Sequence, residues 1–259
     1  MNNYNNIALV IVSCDKYSDL WEPYIYFFKK HWQDCSFDKY FLTNHLESPD
    51  PDFKALKVYE DVSWSDNLTR AINMLDVNYE YVMLFLEDLI LSEKVNNLLL
   101  NFTIEDFIKR NGNYIKLIKN QNATKKTSSY LSEIPKESLY RTTSVFALWK
   151  KETLLKLLKP GENAWEFERN GSIRSDSYFG FYICNNSIFN HKHLVIKGKL
   201  LLDAKRWICK NGYTKPIERD KFSYKDFIKY KTYKILRTIF WGFIPLKHSR
   251  KVYNHLSNA

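Results

Sequence analysis

Glycine and proline are scarce, seven of each in 259 residues, which excludes a collagen-like or low-complexity chain. The four cysteines, Cys14, Cys35, Cys184 and Cys209, stand far apart, with no paired spacing for zinc or a redox dithiol. Free thiols in a reducing, cytoplasmic setting are the expectation. The first six residues are polar and carry no basic side chain, and the apolar run at 7–12 is too short for a signal-peptide core. Acid is almost missing from the end of the chain: residues 221–259 hold nine Lys/Arg against Asp226 alone, a net +8 of the total +10. What is present is apolar mass. A hydrophobic content of 45%, with 16% aromatic residues, excludes a disordered chain and suffices for a sizeable core.

The stretch 81–91 organises the reading. Six apolar residues, Tyr81 to Leu86, run into Glu87 and Asp88, and apolar character then resumes. A short uninterrupted apolar run suits a strand covered on both faces of an α/β sheet. Around it, 7–12, 39–44, 55–59, 114–118 and 142–149 read as further strands. Residues 20–32, 64–75, 95–110 and 151–158 carry apolar residues at helical spacing, and Ser18-Asp19 and Trp64-Ser65-Asp66-Asn67 supply helix starts. The alternation predicts an α/β domain over 1–215, with a mostly parallel sheet covered by helices. Residues 119–138 read as a surface loop, 164–176 as an irregular polar stretch, and 187–199 as a strand with a basic turn.

Two carboxylates at the carboxyl end of a central strand stand where open α/β sheets bind ligands. Such a pair suits a hard divalent cation, Mg²⁺ or Mn²⁺, completed by substrate phosphates. Acidic residues at this place also suit a helix start near Ser92. Glu166 and Glu168, two residues apart, would share one face if their segment is extended.

A first strand running into Ser13-Cys14-Asp15-Lys16-Tyr17, the helix start at Trp64, and a strand ending in Leu86-Glu87-Asp88 together resemble bacterial GT-A glycosyltransferases of surface-polysaccharide and lipopolysaccharide synthesis. Arg141-Thr142-Thr143, Ala147-Leu148-Trp149 and Trp165-Glu166-Phe167-Glu168 add to the resemblance, which covers about residues 5–210. It implies a Rossmann-like GT-A fold and a nucleotide-sugar donor, a UDP-sugar by preference, whose diphosphate rests on a divalent metal. Glu87-Asp88 stands where the family carries a spaced Asp-x-Asp, so the acidic motif departs from the pattern. The resemblance assigns Asp88 to the metal and Glu87 to the donor. Ser13, Asp15 and Tyr17 would hold the base and ribose, with Trp64, Asp66 and Asn67 facing the donor from the other side. Glu168 or Glu166 would be the base of an inverting transfer. A late histidine, His191 or His193, would complete the metal shell, and Arg141, Arg174 and Lys199 would neutralise the leaving diphosphate.

The remaining residues, 216–259, alternate lysine with Phe, Ile, Leu and Trp at near-helical spacing. Six Lys/Arg within 221–237 exclude a membrane-spanning helix there, which needs about 20 apolar residues. The pattern predicts a basic amphipathic helix lying on an anionic membrane surface, and no nucleic-acid partner is expected. The expected activity is sugar transfer to a growing glycan or lipid-linked acceptor at the inner face of the cell membrane. A non-catalytic nucleotide- or glycan-binding subunit and a sugar-phosphate transferase are the alternatives.

Overall fold

Residues 4–119, 125–244 and 246–257 are described in the structure, a computed structural model of the chain. Strand β1 (Ile7–Val12) is buried at all six positions. Ile7, Leu9 and Ile11 enter one apolar core, while Ala8, Val10 and Val12 enter a second. Its run of apolar residues therefore reflects cover on both faces. Helix α1 (Trp21–His31), reached through a 3₁₀ stretch at Asp15–Leu20, turns Trp21, Tyr24, Phe27 and Phe28 inward, the three- and four-residue spacing read from the sequence. Strands β2 (Asp38–Thr43) and β3 (Phe53–Lys57) precede α2 (Trp64–Met74), whose N-cap Ser63 accepts the amide of Asp66. Strand β4 (Tyr81–Leu86) splits its side chains between the two cores as β1 does. After it come β5 (Leu89–Leu91), α3 (Asn97–Lys109), β6 (Tyr114–Lys116), β7 (Lys125–Lys126), β8 (Leu131–Glu133), β9 (Ala147–Lys150) and α4 (Lys151–Leu157). Helices α1 and α3 cover one face of the sheet, and α2 and α4 the other.

The sheet has nine strands in the order β3-β2-β1-β4-β9-β6-β10-β8-β7, with β10 at Phe181–Cys184. Only β8 and β9 run against the other seven, so the sheet is mostly parallel and helix-covered, as expected. Val12 of β1 pairs with Leu86 of β4, so both strands end together on the carboxyl edge. Because β9 is reversed and its Ala147 pairs with Leu84, the loop entering β9 arrives at that same edge.

Several expectations change. The stretch 119–138 is more than a loop: it supplies β8 and the edge strand β7, while 120–124 lie outside the described residues. The strand expected over 142–149 begins only at Ala147, because Phe146 takes a left-handed φ of 44°. The stretch 164–176 is helical throughout, as α5 (Ala164–Glu166), a π turn (Phe167–Gly171), α6 (Ser172–Arg174) and a 3₁₀ turn (Ser175–Ser177). Residues 187–199 resolve into β11 (His191–His193), β12 (Val195–Ile196) and the start of β13 (Lys199–Leu200). The two-residue turn Lys197-Gly198 has both φ angles positive, as a type I′ hairpin requires. Neither β10 nor α7 (Leu202–Lys210) was anticipated.

Beyond residue 215 the chain keeps contact with the body. Phe222 is buried in the first core, its amide donates to Leu200 O at 2.9 Å, and Arg219 pairs with Asp19. Two helices follow, α8 (Tyr224–Gly242) and α9 (Leu246–Ser257), and α9 packs back on the body through buried Ser249.

Candidate functional site

Glu87 and Asp88 form the turn between β4 and β5. The turn is held from outside: β5 pairs with β11, and the amide of Leu194 donates to Asp88 O at 2.8 Å. Glu87 is buried, and burial raises its pKa well above the carboxylate range, with the charge of Asp88 adding to the rise. Burial likewise lifts Asp88 to about 6, and Arg219 opposes the shift at both residues. Asp88 Oδ1 is buried with no hydrogen-bond partner among the described residues. A lone, desolvated carboxylate oxygen beside a second carboxylate fits a hard divalent cation whose other ligands are phosphate and water. Among the described residues no three His, Cys, Asp or Glu side chains gather into a metal-binding group.

The histidines enter less simply. The β5–β11 register sets His193 opposite Leu89, the residue after Asp88, and His191 opposite Leu91, two positions farther away. The His191 ring packs on Phe146 with centroids 4.9 Å apart. Of the two, His193 is therefore the one whose backbone is placed closer to the acidic turn.

The loop after β1 is fastened rather than open. Asp15 accepts the amides of Asn44 at 2.8 Å and His45 at 2.9 Å, and its own amide donates to Asn44 Oδ1 at 3.1 Å. Its carboxylate thus clamps the loops after β1 and β2 together instead of being held ready for a ribose. Ser13 Oγ accepts the indole N–H of Trp21 at 2.7 Å. Tyr17 lies beneath Arg219, whose guanidinium carbon is 4.3 Å from the ring centroid. Arg219 forks onto Asp19 at 2.6 and 2.9 Å and donates to Lys16 O at 3.1 Å. It is a fixed cation whose charge opposes the rise in pKa of Glu87 and Asp88, and sequence reasoning missed it. No periodicity relates residue 219 to a partner 200 positions earlier.

On the α2 side, Asp66 accepts from Ser63 Oγ at 2.5 Å and from the Gly161 amide at 2.8 Å, so it works as a cap and tether. Asn67 is buried and donates to Asp61 Oδ1 at 2.8 Å. That places Asp61 within 3.6 Å of Lys16 Nζ on the β1 loop, a second residue the sequence did not single out. Trp64 packs against Phe167 in a tilted pair with centroids 5.3 Å apart, joining α2 to the helical segment that carries Glu168.

Glu166 and Glu168 do not share a face. Side chains two apart in a helix diverge by about 200°, whereas the expectation assumed an extended segment. Glu166 completes a capping box, accepting the Asn163 amide at 2.9 Å while its own amide donates to Asn163 Oδ1. Glu168 reaches the loop entering β9: its Oε1 accepts from Thr143 Oγ1 at 2.6 Å, the Ser144 amide at 2.9 Å and Ser144 Oγ at 3.0 Å. Its Oε2 accepts no hydrogen bond among the described residues. Beside it, on the same face of β6, stand Tyr114 and the buried Lys116. Burial lowers the Lys116 pKa to about 8, and Glu168 opposes that fall.

Two expected phosphate ligands are structural instead. Arg141 is buried, donates to the carbonyls of Ile134, Ser175 and Tyr178, and lies 4.1 Å over the Phe181 ring. Arg174 forks onto Glu162 and onto Leu157 O. With every donor face engaged inside the protein, neither is placed for a diphosphate. Lys199 is exposed on the β12–β13 hairpin, next to Gly198, whose carbonyl Arg219 approaches at 3.4 Å.

No family model matches the chain, and no curated protein matches it. Among solved structures it is similar to S. aureus TarS, at 10% identity and TM-score 0.44, over 71% of this chain and 36% of that one. The chain thus spans about a third of the length of TarS. It is also similar to the catalytic domain of Drosophila β1,4-galactosyltransferase 7 in complex with xylobiose, at 13% identity and TM-score 0.35, over 84% of each chain. A third is LgtC, at 10% identity and TM-score 0.40, over 68% of this chain and 71% of that one. All three TM-scores lie below 0.5.

Proposed function

We propose that the protein is a nucleotide-sugar-dependent glycosyltransferase that acts by inversion, with Glu168 as the base. The observation that carries this reading is the geometry of Glu168. Three donors fix one carboxylate oxygen and leave the other to a substrate, on the edge of the sheet where Glu87-Asp88 also stands. A base must be oriented before it can be useful, and an anchored Oε1 orients Oε2.

The donor would lie across the carboxyl ends of β1 and β4, its diphosphate toward Asp88, Arg219 and Lys199. When bound, a divalent cation held by Asp88 with Glu87 beside it would supply positive charge to the diphosphate. Oε2 of Glu168 takes the proton of the acceptor hydroxyl as that oxygen bonds to the anomeric carbon. The bond from this carbon to the diphosphate oxygen breaks on the opposite side, and its electron pair leaves with the nucleotide. Arg219, fixed by Asp19, offers the departing charge a preorganised partner.

The acceptor in this reading is a surface glycan under construction, lipid-linked at an anionic membrane. Its support is α8, which leaves Ile228, Tyr233, Ile235, Leu236 and Ile239 exposed together with Lys225, Lys229 and Lys231. No helix among the described residues is long and apolar enough to cross a membrane.

The test is calorimetric titration of the full chain with UDP and other nucleoside diphosphates, with Mn²⁺ and with EDTA, alongside hydrolysis of a panel of UDP-sugars. Mn²⁺-dependent binding lost in Asp88→Asn, and hydrolysis lost in Glu168→Gln with binding kept, are the expected results. Binding without any turnover would leave a non-catalytic nucleotide-binding subunit, and a phosphodiester in the product a sugar-phosphate transferase. No binding by the folded protein would end the donor-site reading.

A further inference from the structure

Helix α9 meets the body at the loop 138–144 and the helical segment 164–177, where its Tyr253 also hydrogen-bonds Arg169. Ser249 Oγ accepts the amide of Leu139 at 2.7 Å, across 110 residues of sequence. Arg250, its side chain 12% exposed, donates to Ser138 O at 3.0 Å and Ser172 O at 2.9 Å, and pairs with Asp176. These partners belong to the two pieces of chain that hold Glu168. Ser172 Oγ donates to the carbonyl of Glu168 at 2.5 Å and accepts the amide of Thr142 at 3.0 Å. The next residues, Thr143 and Ser144, supply all three donors to Glu168 Oε1.

We propose that Arg250 is a positioning residue: through it α9 ties the loop 138–144 to the helical segment 164–177 and so sets the Glu168 carboxylate. The inference rests on the reading of Glu168 as the base. It extends that reading by making α9 a requirement for the chemical step. A guanidinium suits the task because its planar fork reaches two carbonyls and a carboxylate at once, which an ammonium on a single stem does not. Asp176 also accepts the Glu137 amide at 3.0 Å and faces Arg141. Loss of Arg250 therefore removes a bridge without leaving a buried carboxylate uncompensated, and the fold should survive it.

The experiment compares wild type, Arg250→Ala, Arg250→Lys and, as a control on the exposed side of α9, Lys251→Ala. Each full-length chain is examined by amide hydrogen exchange, by calorimetric binding of UDP, and by kcat and KM for the UDP-sugar that the wild type hydrolyses fastest. In Arg250→Ala, exchange should quicken in 138–144 and 164–177, and kcat should fall on the order of tenfold to a hundredfold, since small misplacements of a catalytic group cost that much. KM and UDP affinity should hold, Arg250→Lys should recover part of kcat, and Lys251→Ala should match wild type. Unchanged exchange in both segments would overturn the proposal. So would faster exchange with unchanged kcat, or a joint fall of kcat and UDP affinity, which marks a general loss of structure. If the wild type turns over no donor, the transferase reading fails on its own account, and exchange alone decides whether α9 holds the seat of Glu168.

Discussion

Lys116 sits fully buried at the end of β6 with Glu168 and Cys184 facing it, and it carries a cost that pH can reveal. Burial drops its pKa from 10.5 to about 8, so between those values the unfolded chain binds more protons than the folded one. Stability from this residue must then rise with pH across that window, and the whole cost is borne below pH 8. The shift corresponds to about 3 kcal/mol at pH 7. Lys116→Met should raise the thermal midpoint at pH 7, with the gain shrinking as the pH climbs from 8 toward 10. A gain independent of pH would mean that packing, and not the buried charge, was the cause. The lysine stands beside Glu168, the carboxylate proposed here as the base. Glu87, Asp88 and Glu168, the acids of the proposed site, stand out in the sequence itself. Their partners do not, because Thr143, Ser144, Lys116 and Arg219 reach them only through the sheet and the final loops.

The helical segment 164–177 shows how an element assigns different work to neighbouring acids. An extended strand would have aimed Glu166 and Glu168 alike; a helix with a π turn separates them, giving Glu166 to the cap and Glu168 to the Thr143-Ser144 loop. Glu166→Ala should therefore cost about 1 kcal/mol of stability, as lost caps do, and leave turnover of a UDP-sugar intact. Thermal unfolding and hydrolysis rates check both halves; loss of turnover without loss of stability would return Glu166 to the chemistry. The segment looked irregular in sequence because its four short helical pieces, of three to five residues each, never repeat an apolar period.

At the scale of the molecule, the chain closes on itself twice after the sheet is complete, once at Arg219 over the β1 loop and once at α9 behind Glu168. Between these two anchors α8 presents lysines and exposed apolar side chains together. The triple variant Lys225→Glu, Lys229→Glu, Lys231→Glu should lose binding to vesicles containing phosphatidylglycerol, at roughly 1 kcal/mol per lysine removed, while UDP affinity stays at the wild-type value. Vesicle binding that survives the reversal, or that ignores added salt, would exclude an electrostatic membrane contact.

Local pattern alone determined the elements that repeat a period or an unbroken apolar run: β1, β4, α1, α2 and the position of Glu87-Asp88 at a strand end. These follow from side chains within a few residues of one another, and a sequence displays that spacing directly. Tertiary structure decided which charged groups stay available. Asp15, Asp66, Arg141 and Arg174 look like ligands in the sequence and are consumed by backbone amides, carbonyls and the half-buried carboxylate of Glu162 in the fold. Arg219 and Arg250 look like two more charges in a basic tail and become fixed partners of Asp19 and Asp176. A charge is spent or kept according to what approaches it across the fold, and that approach depends on the way the sheet and its last helices close.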